Sequence, residues 1–217
     1  MPADDLRAIQ DRIARAARTA GREDAPVLVA ISKTKPPEEI APLLAAGHRV
    51  FGENRVQEAQ AKWPELRARY PDIELHLVGQ LQSNKAAEAV ALFDAIHAVD
   101  RPSLVDALAK AIPQSGRDPK LFVQVNIGEE EQKGGCTIDA LPSLLDQARD
   151  AGLRIAGLMA IPPAGLEAAP YFALLAKLRR EHDLPLLSIG MSDDFETATM
   201  LGATHVRVGS ALFGARG

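Results

Sequence analysis

The chain has 217 residues, 47% hydrophobic and 25% charged, with a formal net charge of −4. That length fits one domain, residues 1–217, better than two, and the acidic balance presents no basic surface for nucleic acid or an anionic membrane. The N-terminus carries charges throughout, no apolar run reaches a membrane span, and the lone Cys136 cannot form an internal disulfide, so a cytoplasmic protein is expected.

A first helix is predicted over residues 3–20, because Leu6, Ile9, Ile13, Ala17 and Ala20 recur at three- and four-residue spacing before Gly21. Short apolar runs then alternate with helical patterns. The predicted strands are VLVAIS (27–32), RVFG (49–52), ELHLVG (74–79), AIHAV (95–99), LFVQVN (121–126), RIAGLM (154–159), LLSIG (186–190) and HVRVG (205–209). Helices are predicted over 37–46, 56–68, 83–92, 103–112, 138–151, 167–182 and 193–201, most of them amphipathic and bounded by Gly or Pro. Eight strands alternating with helices imply a parallel sheet, and eight βα units close into a (β/α)8 TIM barrel, an α/β fold. An open doubly wound sheet is the alternative, and it would need to be unusually wide.

Active sites of such barrels lie at the C-terminal ends of the strands. Strand one ends at Lys33, strand two runs into Glu53 and Asn54, strand five ends at Asn126, and strand six ends near Met159. The loops after strands seven and eight, the usual phosphate site of this fold, read GMS (190–192) and GSALFG (209–214). Their glycines let backbone N–H groups approach an anion, Ser192 and Ser210 add hydroxyls, and a short helix from Ser210 would aim its positive end there. Lys33 and Lys35 share a face if strand one extends that far, and desolvation beside a second cation favours the neutral amine that attacks a carbonyl. Two solvated lysines at a strand end are the plainer alternative. An amine opposite a phosphate cradle suits a phosphorylated aldehyde. His48, His76, His97, His182 and His205 offer no close metal-binding pair by spacing, and Asp193 and Asp194 read as a cap for the following helix.

Taken together, VAISKTKP, FGENRVQE, HLVGQLQSNK, GLMAIP, GMSDDFETA and VRVGSALFGAR resemble, in order, the pyridoxal phosphate homeostasis proteins (the YggS/PROSC family), from about Val27 to Arg216. The resemblance implies the fold-type III barrel that binds pyridoxal 5′-phosphate (PLP), similar to the N-terminal domain of alanine racemase. By motif it makes Lys33 the Schiff-base lysine and places Asn54 near the cofactor; Met159 joins the expected cofactor-binding residues by its position at the end of strand six. It makes Ser192, Gly209 and Ser210 the phosphate cradle, and Arg207 the arginine facing the pyridine nitrogen. Leu75 stands where the family commonly has tryptophan, and Arg55 where it has tyrosine.

The resemblance implies a role in vitamin B6 homeostasis without established turnover. Guanidinium only donates hydrogen bonds, so a ring nitrogen facing Arg207 stays unprotonated and the ring is a weaker electron sink. Racemisation needs a second base. In alanine racemase that base is a tyrosine from a further domain, whereas this chain stops at Gly217 and its only tyrosines are Tyr70 and Tyr171. A PLP-binding carrier is therefore expected, with a PLP-dependent racemase or lyase as the alternative. A barrel enzyme acting on a phosphorylated sugar without PLP is a third. The remaining expectations are a monomer, no metal, and PLP-dependent apoenzymes as the recipients of delivered PLP.

Overall fold

The computed structural model describes residues 2–214, so the Arg216 end of the last motif lies outside the described residues. The helix α1 (Pro2–Thr19) precedes eight βα units. In order these are β1 (Val27–Ile31), α2 (Pro37–Ala45), β2 (Val50–Glu53), α3 (Val56–Arg69), β3 (Glu74–Leu77) and α4 (Ala86–Leu92). Then come β4 (Ala95–Val99), α5 (Pro102–Ser115), β5 (Lys120–Gln124), α6 (Leu141–Asp150), β6 (Ile155–Met159) and α7 (Ala169–Glu181). The chain finishes with β7 (Leu186–Ser188), α8 (Phe195–Met200), β8 (His205–Val208) and α9 (Ser210–Phe213). All strand pairs are parallel, and β1 pairs with both β2 and β8, closing the barrel in sequence order.

Each strand is apolar because both faces are covered. Side chains alternate, and the alternation sorts them into two populations. Leu28, Ala30, Phe51, Leu75, Leu77, Leu121, Val123, Leu158, Leu187, Val206 and Val208 face the helices in one large core. The opposite parity fills the lumen, where His76, His97, Phe122, His205 and Arg207 are buried. Strands β4 and β8 are not neighbours, yet the His97 and His205 rings lie 6.0 Å apart, a contact possible only across the lumen.

The helix α1 buries Leu6, Ile9, Ile13 and Ala17, as its spacing requires, whereas Ala20 falls past the helix end and is exposed. It packs against α8, where Arg12 donates to Glu196 at 2.6 Å and stands over the Phe195 ring. Among the described residues no helix is long and apolar enough to cross a membrane.

Candidate functional site

At the C-terminal mouth of the barrel a cleft of about 290 Å³ opens between loops of opposite character. Its first wall is the turn after β1. That strand stops at Ile31, so Lys33 is carried by a turn, closed by the Lys35 N–H donating to the Ser32 carbonyl at 3.1 Å. Thr34, in its middle, has φ 63, a left-handed conformation rare for a β-branched residue. The expected shared strand face of Lys33 and Lys35 is thus corrected. Both residues line the cleft, but across a turn, and the Lys35 ammonium pairs with Glu39 at 2.8 Å.

The second wall is the pair of loops after β7 and β8. The Ser192 hydroxyl accepts from the Gly209 N–H at 3.3 Å and the Ala211 N–H at 3.4 Å, tying the two loops together. A Cβ on Gly209 would stand 3.3 Å from the Ile31 Cβ, so glycine lets this backbone lie against β1. Ser210 lines the cleft beside it. The sequence places Asp194 as a cap for α8, but its carboxylate accepts from the Met191 N–H at 2.6 Å, upstream. Asp194 therefore braces the GMS turn, and burial raises its pKa.

Arg207 forms the floor. Its Nη1 donates to the Ser188 carbonyl and hydroxyl, each at 2.7 Å, and its Nη2 donates to the Ala160 carbonyl at 3.0 Å. Burial lowers its pKa to about 10, which leaves it a cation near neutral pH. Asn54 lines the side after β2, over Gly79, where an added Cβ would meet the Asn54 carbonyl oxygen at 2.2 Å.

The structure thus brings Lys33, Asn54, Ser192, Arg207, Gly209 and Ser210 to one cleft. Met159 does not join them. It is fully buried, packed with Ala95 and Phe122 below the floor, while Ile161 two residues on reaches the cleft wall with the same parity. Asn126 instead braces its own loop, donating to the Glu130 carbonyl and accepting from the Glu130 N–H.

Two polar assemblies escaped the sequence reading. Behind the Lys33 turn, the Lys62 ammonium on α3 lies 2.8 Å from Glu53, and Glu53 also accepts from the Ser32 hydroxyl and the Trp63 indole. Below the floor, the lumen holds a continuous chain of hydrogen bonds. Arg207 can only donate to Ser188; Ser188 meets His97 Nδ1 at 2.9 Å; His97 Nε2 meets His76 Nδ1 at 3.0 Å; and His76 Nε2 meets Glu74 at 3.1 Å. One proton order gives each of these hydrogens an acceptor within the chain, running from Arg207 through Ser188, His97 and His76 to Glu74. Burial holds His97 well below the usual histidine range, and the His76 hydrogen bond lowers Glu74 to about 2. Three histidines distant in sequence, His76, His97 and His205, therefore converge, although among the described residues no group of three or more His, Cys, Asp or Glu could hold a metal ion. Their only sequence signal is lumen parity in ELHL, AIHAV and HVRV.

A closed parallel barrel with a lysine turn, a glycine-serine loop pair and a buried arginine at its mouth defines the alanine racemase N-terminal-domain class, whose family model matches residues 5–217. Alanine racemase from Acinetobacter baumannii shares that fold, with a TM-score of 0.71 at 18% identity over 97% of this chain and 62% of that one. Within the class, the chain belongs to the pyridoxal phosphate homeostasis protein family. It is 42% identical to the Pseudomonas aeruginosa pyridoxal phosphate homeostasis protein over 99% of this chain and 95% of that protein. It is also similar to PipY of Synechococcus elongatus, solved with PLP bound, with a TM-score of 0.86 and 37% identity over 99% of this chain and all of that one.

Proposed function

We propose that this protein binds PLP in the cleft and serves PLP homeostasis as a one-domain, monomeric cytoplasmic carrier that holds the cofactor and releases it to apoenzymes. The observation that carries the reading is the pairing of the Lys33 turn with the Ser192, Gly209 and Ser210 loops across a floor made by Arg207. The residues suit the group. Serine hydroxyls and backbone N–H groups are phosphate donors, and the close packing of Gly209 against Ile31 leaves that wall without a side chain. When bound, PLP supplies an aldehyde that a lysine amine can hold as a Schiff base.

Lys33 takes that role, Ser192 with Gly209 and Ser210 holds the phosphate end, Asn54 orients the ring, and Arg207 donates toward the ring nitrogen. A guanidinium that keeps its charge at neutral pH holds its protons more tightly than a pyridine nitrogen would, so it donates a hydrogen bond, leaves the ring nitrogen unprotonated and disfavours carbanion chemistry. Among the described residues, the titratable side chains lining the cleft are Lys33, Lys35, Asp193 and Arg207. Tyr70 caps α3 and Tyr171 sits on α7, away from that lining, which supports a carrier over a racemase.

The test is visible absorbance of the pure protein with PLP, before and after borohydride, beside Lys33→Ala. A band that borohydride traps on Lys33 and that the variant lacks is the expected result. Absence of colour with added PLP would sink the reading, and sustained turnover of an amino acid abolished by Lys33→Ala would replace the carrier with a catalyst.

A further inference from the structure

The turn that carries Lys33 is held from behind by one helix. Lys62, 7% exposed at its side chain, donates to the Ser32 carbonyl at 2.8 Å and the Lys35 carbonyl at 2.9 Å. Those are the carbonyls at the two ends of the turn, before and after Lys33. The N–H between them, on Thr34, donates to Glu58, one helical turn from Lys62 on the same face of α3. Glu53 completes the assembly by accepting the Ser32 hydroxyl at 2.8 Å. The ammonium has three protons and four oxygen neighbours within 3.3 Å, so two of the three go to backbone carbonyls of the lysine turn.

Burying an ammonium and a carboxylate to this degree costs several kcal/mol per ion, roughly, before pairing offsets it, and an apolar pair would fill the same space more cheaply. Thr34 at φ 63 adds strain that persists only where neighbours over-determine the conformation. Strain and buried charge meet at the four residues Ser32 to Lys35, where two of the oxygen partners of Lys62 lie.

We propose that Lys62 is a positioning residue for Lys33. With Glu53 and Glu58 it clamps the turn from α3 and fixes the direction in which the Lys33 amine enters the cleft. The proposal rests on the reading of Lys33 as the PLP lysine and adds what aims it. Lys62 itself lies behind the turn, outside the cleft lining.

The test compares two ligands. PLP uses the lysine, whereas pyridoxine 5′-phosphate, which has an alcohol in place of the aldehyde, uses only the ring and phosphate contacts. The variants are Lys62→Met, the charge-balanced pair Glu53→Gln with Lys62→Met, and Glu58→Ala. The balanced pair avoids stranding a buried carboxylate, and Glu58 is partly exposed, so its removal threatens the fold least. Expected is at least a tenfold slower capture of PLP at Lys33, read by absorbance and borohydride trapping, with pyridoxine 5′-phosphate bound as tightly as by the unmodified protein. Misplacement of a reacting group by about 1 Å is worth up to about 10²-fold, so the effect is within reach. Unchanged PLP capture in all three variants overturns the clamp. Equal loss of both ligands also overturns it, by showing a general structural role. If the unmodified protein traps nothing on Lys33, the underlying reading falls and the clamp falls with it.

Discussion

Arg207 and Gly79 show how single residues set the site. Arg207 spans two strands, reaching Ser188 on β7 with one nitrogen and the Ala160 carbonyl after β6 with the other. Lysine presents one compact ammonium and cannot make both reaches. Arg207→Lys should leave at least one buried acceptor unmet and cost about 1–3 kcal/mol, read as a lower urea midpoint. It should also weaken PLP binding, and an unchanged midpoint would show that the floor tolerates a point charge. Gly79 is constrained by backbone, since a Cβ there would meet the oxygen, Cα and carbonyl carbon of Asn54 at 2.2, 2.7 and 2.9 Å. No side chain can rotate away to relieve this. Gly79→Ala should cost about 1–3 kcal/mol, the usual range for overpacking, and should displace Asn54 from the cleft. A crystal structure of the variant with Asn54 in place would refute the second half.

Among the elements, legibility in the sequence followed burial. The apolar strand runs have covered faces on both sides, so all eight predicted strands exist, with bounds off by two residues at most. Helix starts were less legible. Residues 138–140 were expected in α6, which begins at Leu141 because the Thr137 hydroxyl accepts the Ala140 N–H and holds a turn there. Cleft residues at strand ends, such as Lys33 and Arg207, could be read because the barrel fixes where strands end. Lys62 could not, since a lysine on an amphipathic helix reads as solvated until its neighbours are known. Met159 was misplaced because strand-end position says nothing about depth in the lumen. The lysine turn yields its own prediction. Glycine at position 34 accepts φ 63 without strain, so Thr34→Gly should leave thermal stability equal or higher by up to about 1 kcal/mol. The same change loosens the turn and should slow PLP capture. Stability and capture falling together would mean that the Thr34 side chain, and not its backbone, is what matters.

The lumen makes acid sensitivity a property of the whole molecule. Burial lowers His205 to about 3, holds His97 well below its usual value and lowers His48. In the unfolded chain these imidazoles take up protons near pH 6.5. Between about pH 6.5 and the folded values only the unfolded state binds them, so stability falls as pH falls. Glu74 acts in the same direction lower down. Its carboxylate, held at about 2 by His76 first and Lys120 further on, contributes stability above about pH 4.5 that is lost between there and pH 2. Cys136 gives the opposite limb, because burial raises its thiol to about 12 and stability falls as pH rises from 9 toward that value. Urea midpoints should therefore drop from pH 7 to pH 5. His97→Gln, which removes one non-titrating folded imidazole from the hydrogen-bonded chain beneath Arg207, should flatten that drop while lowering the midpoint at pH 7. The flattening is the decisive part, because loss of packing alone lowers the midpoint at every pH equally. If the slope between pH 7 and pH 5 stays as steep in the variant, His97 is charged inside the barrel. The link between Ser188 and His97 would then reverse, with His97 donating to Ser188 as well as to His76 and the serine oxygen facing two donors at once.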